Sequence, residues 1–286
     1  MTTPMDTRPV GSAEAAAIEA VEARAWADLV AAAPAGYAAR IGLAAERAGD
    51  AIVVHCAGGG FDRGLFNRPI GLGVVAPATR DAVRDIVAGF RRSGATRFML
   101  VSQPHCRPAE YERWLADEGL LQRGAWDRVV RDGAPLAAAV TAPGSRPITV
   151  SRVDGGSVAG WSDFLSSVYG VDAGPWLRGV HDRPGWHHYL ATERGRIAGA
   201  RTMYLAAPGQ PAFLAIDGPV PGVMTDDYAP DAAILRAIVS DGLALGASGF
   251  IADIEAPSPG MDTPAYTTFG RLGFRMPYTR LHHTAA

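Results

Sequence analysis

The sequence predicts a mixed α/β protein made of two similar domains, and three observations lead to this prediction. Apolar, strand-like runs alternate with amphipathic, helix-like runs along the chain. The motif R-x-I-V-(x)6-G-A-x-x-F occurs at 84–98 and again at 236–250, with matching positions 152 residues apart. Residues 133–147, between the copies, are rich in Ala, Gly and Pro, as domain boundaries often are. We therefore expect domains at about 1–140 and 147–286 that arose by duplication, with chance similarity of two βαβ units as the alternative.

The first half is expected to open with a helix and to end in a strand, helix, strand arrangement. An Ala-rich stretch predicts a helix over about 13–33, and two apolar runs, 50–58 and 68–76, predict strands. After the helical part of the first motif copy, the expected elements are a strand at 97–102, a helix at 110–120 that ends at Gly119, and a closing strand at 122–132.

The second half repeats this plan after a fuller set of strands. The elements expected before its motif copy are a strand at 148–155, a helix at 157–170, a strand pair at 186–195 and 196–206, and a strand at 212–218. The elements expected after it are a strand at 249–255, a helix at 265–274 that ends at Gly273, and a closing strand at 275–283.

The composition excludes several classes of protein. All 27 basic residues are Arg, which rules out a Schiff-base lysine and a Walker A lysine. The two cysteines, Cys56 and Cys106, are too few for a Cys-rich zinc site or a disulfide framework. A formal charge of -2 without a basic block argues against a nucleic-acid partner, and no apolar run reaches the ~20 residues of a membrane span. We expect a cytoplasmic protein without a membrane partner.

Three short motifs connect the chain to a known family. They are F-N-R-P-I-G-L-G at 66–73, Q-P-H-C-R-P at 103–108 and G-W-H-H-Y-L-A at 185–191. With the order of strands and helices, they resemble the GCN5-related N-acetyltransferase (GNAT) superfamily, and within it bacterial proteins with two tandem domains. The fold class that this resemblance implies is α/β (α+β), with two tandem GNAT-like domains, each a mixed, mostly antiparallel sheet flanked by helices. The first domain is expected to lack a cofactor.

The resemblance also implies a site for acetyl-CoA or another acyl-CoA in the second domain. In the family, the acyl-CoA lies between the fourth and fifth strands, with its pyrophosphate at the N-terminus of the next helix, where unpaired N–H groups bind anions. The matching loop here, 222–232, has no Arg or Gly between 223 and 231 and contains three Asp residues, which also suit capping of the helix. The cofactor contacts that the resemblance implies are Gly218, Val220, Gly222, Ala229 and Thr268.

The family's general acid is not in its usual place. The Tyr that commonly stands four residues before the Gly-Phe pair is replaced by Phe269, which cannot donate a proton. Tyr266, one turn earlier, could take over this role from the same side of the helix. The alternative is that Tyr266 only packs against the core.

Carboxylates are available for the amine chemistry that an acyltransferase needs. Asp217 closes a strand, and Asp253 and Glu255 follow one another at i, i+2 on the next strand, hence on one face. Two carboxylates on one face repel each other, which raises the pKa of at least one of them. A carboxylate of raised pKa suits proton transfer from an ammonium group. Capping of the following loop is the alternative role for one of them.

An aromatic set is expected to bind the substrate, and packing in the core or on the surface is the alternative for its members. Its members are Tyr169, Trp176, Trp186, His187 and Tyr189. His187 and His188 point to opposite faces if they lie on a strand, so at most one reaches the cleft. His282 and His283 have no metal-ligand spacing to nearby carboxylates, and we expect no metal.

Two functions remain open from the sequence. The first is an N-acyltransferase that acts on a small amine-containing molecule, with acyl-CoA as the presumed donor, Asp253 or Glu255 as base, and amides near Gly218 and Val220 binding the oxyanion. The second is a repurposed GNAT fold that no longer binds CoA and performs carboxylate-based acid–base chemistry or binds a small metabolite. The sequence allows a homodimer and does not determine the oligomeric state.

Overall fold

A computed structural model describes residues 5–137, 147–218, 228–256 and 263–285. The chain forms two compact units, each built from two stretches. The first unit consists of Pro9–Asp127 and Tyr278–Ala286, and the second of Met1–Arg8 and Arg128–Pro277. The predicted domain boundary falls mainly on 138–146, outside the described residues, so the limits 1–140 and 147–286 stay a prediction. Among the described residues, no helix is long and apolar enough to cross a membrane.

The first unit combines a small antiparallel sheet with helices and further strands. Its helices are α1 (Ser12–Ala31), α2 (Ala35–Ile41), α3 (Arg80–Arg92) and α4 (Tyr111–Asp117), with a short 3-10 helix at Gly64–Phe66. Its strands β1 (Ala44–Ala48), β2 (Ala51–His55) and β3 (Arg68–Ile70) pair in that order. Beyond them, β4 (Met99–Ser102) pairs with the final strand β11 (Arg275–Ala285), which neighbours β5 (Leu120–Asp132). Both β5 and β11 also contribute residues to the second unit.

The second unit is the mixed, mostly antiparallel sheet flanked by helices that the sequence predicts. Its strands are β6 (Ile148–Arg152), β7 (Trp186–Glu193), β8 (Arg196–Tyr204), β9 (Pro211–Gly218) and β10 (Gly249–Glu255). They lie in the order β10-β9-β8-β7-β6, with β9 and β10 parallel and the others antiparallel. Its helices are α5 (Val158–Tyr169), α6 (Gly174–His181), α7 (Ala229–Ala244) and α8 (Pro264–Arg271). The α/β (α+β) fold class is therefore confirmed.

Helices pack on both faces of this second sheet. The apolar side chains of α7 and α8 pack with Met203, Leu214 and Phe250 in one buried cluster. Trp161 of α5 instead packs against the ring of His188, which points to the opposite face of β7. Strand alternation thus assigns each residue of the site to one of two faces.

The repeated motif occupies the same structural position in both units. In each copy the helix is followed by a glycine with positive φ, Gly94 at 79° and Gly246 at 87°. The N–H of the next alanine then donates to the carbonyl five residues earlier, at 3.1 Å in the first copy and 2.8 Å in the second. The motif's last residues, Phe98 and Phe250, are both buried. These shared contacts support duplication.

Among the described residues, α2, β1 and α6 were not predicted from the sequence, and neither was the short 3-10 helix at Gly64–Phe66. All are short; α2, β1 and α6 have seven, five and eight residues, and α2 and α6 each carry a Gly near their start. Short segments hold too few residues to show a clear hydrophobic period. Their formation depends on contacts with the rest of the fold.

Candidate functional site at the separated strands of the second unit

The site is built around an irregularity in β9. Ala200 of β8 pairs with Gly218 and Thr202 pairs with Ala215, so β9 has one residue more than β8 between these pairs. The extra residue produces a β-bulge in β9, and Ile216 within this bulge has a φ of 47°. A β-branched residue in the left-handed region is strained by about 1–3 kcal/mol, a feature that clusters at functional sites.

Next to the bulge, the parallel strands β9 and β10 stop pairing. Among the described residues, their ladder ends at Phe213 and Ile251, although β9 continues to Gly218 and β10 to Glu255. The facing edges beyond this point lie outside the β9–β10 ladder, where an extended ligand with amide groups could bind their backbone. These are the fourth and fifth strands of the second unit, where the resemblance places the cleft.

Two of the predicted carboxylates lie on β10 where it leaves the ladder. Asp253 is half-buried, and its Oδ1 lies 3.4 Å from Nε of Arg128 on β5, which is fully buried. The guanidinium of Arg128 also lies 5.9 Å from the centre of the Phe213 ring. Glu255, on the same face of β10 as Asp253, is exposed. Arg128 therefore compensates the charge of Asp253, whereas Glu255 has no ion-pair partner among the described residues.

The other predicted residues of this edge are only partly described. Gly218 ends β9 and pairs with Ala200, and Ala229 is the exposed first residue of α7. The side chain of Asp217 and the whole of Val220 and Gly222 lie outside the described residues, as do Asp226 and Asp227 of the acidic loop.

The N-terminus of α7 carries an internal ion pair. Asp231, in the first turn, accepts two hydrogen bonds from Arg201 of β8, Nε to Oδ1 at 3.0 Å and NH2 to Oδ2 at 3.1 Å. The side chain of Arg201 is 3% exposed and that of Asp231 is 14% exposed. A carboxylate already occupies the positive end of this helix, so the described residues do not fit the pyrophosphate of an acyl-CoA.

In helix α8, Phe269 stands where the resemblance implies a general-acid tyrosine. Phe269 is fully buried and packs edge-on against Phe274, with ring centres 4.9 Å apart. Tyr266 is half-buried and packs against the same apolar cluster, and Thr268 is also half-buried. Phe269 thus contributes to the core, and the proposed acid role of Tyr266 stays a prediction.

The predicted substrate-binding set is divided between two faces. Trp186 and Trp176 are buried, and Trp186 lies on the α5 face with its ring parallel to that of His188. His187 and Tyr189 lie on the α7 face, because strand neighbours alternate. Tyr169 lies at the end of α5 and is half-buried. The structure therefore does not bring all five residues together.

His188, which was not among the predicted site residues, lies at the centre of the aromatic group on the α5 face. Its Nδ1 is 2.9 Å from Oγ1 of Thr202, and its ring centre is 4.3 Å from that of Trp161 and 5.8 Å from that of His181. Burial, reinforced by the neighbouring His181, lowers the pKa of His188 to about 3. The imidazole is therefore neutral at physiological pH and acts as a fixed polar group.

On the α7 face, a polar network joins β6, β7 and α7. The Tyr189 hydroxyl donates to Asp241 at 3.1 Å, and Asp241 also lies 3.6 Å from Arg152. Arg152 in turn lies 2.6 Å from Nδ1 of His187. Burial raises the pKa of Tyr189, with Asp241 adding to the shift, while burial and then Arg152 lower the pKa of His187. This network fixes the strand ends against the helix and lies away from Asp253.

Sequence reasoning missed the two buried arginines of the site, Arg128 and Arg201. The available signal was a charged residue inside an apolar strand at a core-facing position, A-R-T-M-Y for Arg201 and D-R-V-V for Arg128. A buried Arg needs an acidic partner, and alternation alone does not show which one. For metal binding, no cluster of three or more His, Cys, Asp or Glu side chains occurs among the described residues.

Comparison with known proteins places the fold. The chain is similar to a GCN5-related N-acetyltransferase from Kribbella flavida, at 15% identity over 94% of this chain and 95% of that chain, with a TM-score of 0.58. A GCN5-related N-acetyltransferase from Sphaerobacter thermophilus matches at 15% identity over 97% and 94%, with a TM-score of 0.52. A tandem GNAT protein from the clavulanic acid biosynthesis pathway matches at 12% identity over 97% of both chains, with a TM-score of 0.51.

These similarities cover nearly the whole length of each chain. No family model and none of the curated proteins matches the sequence. The protein therefore has the fold of the GNAT acetyltransferases, and the resemblance inferred from the sequence is confirmed at the level of fold.

Proposed function

We propose that this protein is an N-acyltransferase that transfers an acyl group from a thioester to a small amine. The observation that carries the proposal is the separation of β9 from β10 beside the Ile216 bulge, with Asp253 and Glu255 on the strand that diverges. An extended thioester can lie along the open strand edges, and the carboxylates stand where an amine would approach it.

The reaction needs a base because alkylamines are protonated at neutral pH. In the proposed step, a carboxylate takes a proton from the ammonium, and the nitrogen lone pair attacks the thioester carbonyl. The first proton passes from the carboxylate to solvent. The C–N bond forms, the C–S bond breaks, and the thiolate accepts the second proton, which the nitrogen loses as it becomes an amide. Phe269 cannot supply that proton, so it reaches the thiolate through water, the carboxylate or Tyr266.

Glu255 suits the role of base better than Asp253. Asp253 lies 3.4 Å from the buried guanidinium of Arg128, and this positive charge favours the ionised carboxylate, so it opposes proton transfer to Asp253. Glu255 is exposed, two residues further along the same face, and can exchange protons with solvent. In this arrangement, Arg128 holds Asp253 in place, Asp253 binds the ammonium group, and Glu255 removes its proton.

The test is a thiol-release assay with S-acetylpantetheine and acetyl-CoA as donors and a panel of small amines as acceptors. Loss of the base in Glu255→Gln should lower the rate by about 100-fold or more, because a positioned base contributes 10²–10⁴-fold. The matched control is Asp182→Asn, since the Asp182 side chain is 85% exposed and belongs to the end of α6 rather than to β10. Equal rates for Glu255→Gln and the unaltered protein would overturn the assigned base.

A repurposed fold is the second candidate, favoured by the carboxylate at the α7 N-terminus and by Phe269. It would bind a small metabolite, or catalyse proton transfer on it, without any acyl donor. The same assay separates the two candidates, because this one predicts no thiol release with any thioester and amine.

A further inference from the structure

The ion pair at the N-terminus of α7 bears on which acyl donor the protein accepts. Helix α7 begins at Ala229, and the Asp231 carboxylate lies in its first turn, where the helix dipole favours an anion. Both carboxylate oxygens of Asp231 are bound by one guanidinium, that of Arg201. A bidentate pair of this kind is strong and fixed in direction.

The packing around Arg201 fixes this side chain in place. Arg201 stands opposite Tyr189 on the neighbouring strand β7, and its guanidinium lies 5.9 Å from the centre of the buried Phe269 ring. A side chain that is 3% exposed cannot swing out to meet a ligand without opening the core. The guanidinium of Arg201 is therefore held against Asp231.

A pyrophosphate that approached the N-terminus of α7 would meet an anion that is already bound there. It would lie against the Asp231 carboxylate, and it could use Arg201 only by displacing that carboxylate into a partly buried position without a counter-charge. By contrast, pantetheine is a neutral chain with two amides, so it can lie along the separated edges of β9 and β10 without charge repulsion.

We propose that Asp231 is an internal substitute for the donor's pyrophosphate, so that the protein recognises acyl thioesters through their pantetheine arm alone. This inference rests on the proposed acyl transfer, since it names the donor class for that site. The donors that fit are acyl-pantetheine thioesters, and the nucleotide part of an acyl-CoA adds nothing to their recognition.

The first test needs no turnover. Thermal unfolding is measured with and without inorganic pyrophosphate for the unaltered protein, Asp231→Asn, Asp231→Ser and the control Asp241→Asn at the other end of α7. Pyrophosphate should stabilise only the two Asp231 variants, because it supplies the negative charge that Asp231 otherwise places against Arg201. Asp231→Ser retains a side chain that can cap the helix, so it serves if Asp231→Asn folds poorly.

The second test compares donors. Titration calorimetry with CoA and pantetheine should give similar affinities for the unaltered protein, while Asp231→Asn should bind CoA at least 10-fold more tightly and pantetheine unchanged. CoA binding at least 10-fold tighter than pantetheine in the unaltered protein would overturn the inference, as would failure to bind pantetheine or an Asp231→Asn affinity for CoA equal to that of the unaltered protein.

The two proposals can fail separately. If the titrations give the expected affinities but no amine in the panel leads to thiol release, acyl transfer is refuted. The conclusion that Asp231 takes the place of the pyrophosphate would then still hold. Thiol release with a strong preference for acetyl-CoA over S-acetylpantetheine would support acyl transfer and refute the donor class.

Discussion

The N-terminus of α3 in the first unit and that of α7 in the second are equivalent positions closed by different means. Thr79 caps α3 by accepting a hydrogen bond from the Ala82 N–H at 3.1 Å. The loop before α3 is bound to the backbone of Arg107, whose N–H donates to Gly73 at 2.7 Å and whose carbonyl accepts from Ala78 at 2.8 Å. At α7, Asp231 and Arg201 form a buried ion pair instead.

The two copies share their core positions but differ at the N-termini of their helices. The apolar motif positions are buried in both copies, and even a large exchange is accommodated: Phe90 stacks on Phe98 in the first copy, whereas the matching Gly242 lets the ring of Phe250 approach α7. The core therefore keeps its pattern, because every change in it alters packing. The helix ends accept any group that satisfies their N–H donors, so their chemistry diverges.

The largest expected effect tests whether the two copies contribute equally to the core. Phe98→Ala and Phe250→Ala should each lower the free energy of unfolding by about 3–5 kcal/mol, since both rings are buried and leave a cavity. Urea denaturation measures both, with Leu121→Ala as the control because that side chain is 47% exposed. A loss below about 1 kcal/mol for only one of the two would show that its copy is not part of the cooperative core.

The core was also the part that the sequence predicted best. The repeat, the order of strands and helices along the chain, and Gly119 and Gly273 at the ends of two short helices were predicted from periodicity and turn residues. In the structure both glycines have a positive φ, 77° and 83°. The site was predicted less completely. The partners of Arg128 and Arg201 come from other strands and helices, and the bulge at Ile216 has no local sequence signal, because it arises from pairing with β8.

A second comparison concerns one histidine of low pKa in each unit, His282 and His188. Burial lowers the pKa of His282 in the first unit to about 3, with Arg280 adding to the shift, and burial also lowers that of His188 in the second unit to about 3. In an unfolded chain both titrate near ~6.5. The unfolded state therefore binds protons first as the pH falls, and the stability present above ~6.5 is lost towards pH 3.

When the pH falls from 7.5 to 5, each of these histidines should lower the free energy of unfolding by about 2 kcal/mol. Urea denaturation between pH 7.5 and 5 measures the loss, and His188→Gln or His282→Gln should each remove about half of the pair's contribution. Observation of either imidazole titrating near pH 6.5 by NMR in the folded protein would contradict this prediction.

The glycines that follow the helix in each motif copy, Gly94 and Gly246, should differ in how much stability an alanine costs. Alanine at either Gly94 or Gly246 should cost about 1–2 kcal/mol, because an L side chain is strained in the left-handed region. Gly246→Ala should cost more, since its Cβ would lie 3.2 Å from Cβ of Pro208, while Gly94 has open space. The control, Gly270→Ala inside α8, should be neutral or stabilising by up to ~1 kcal/mol. Equal losses at both positions would show that Pro208 moves aside freely.

The smallest expected effect returns to the helix ends. Thr79 at α3 and Thr263 at α8 both accept a hydrogen bond from a backbone N–H, but at 3.1 Å and 3.5 Å, so the second is at the limit of a hydrogen bond. Thr79→Ala should cost about 1 kcal/mol and Thr263→Ala less, with Thr79→Ser restoring most of the loss because serine caps equally well. Thermal unfolding measures all three. A larger loss at Thr263 than at Thr79 would mean that the α8 cap orders more of the chain than its own helix, and that the cleft side of the second unit depends on it.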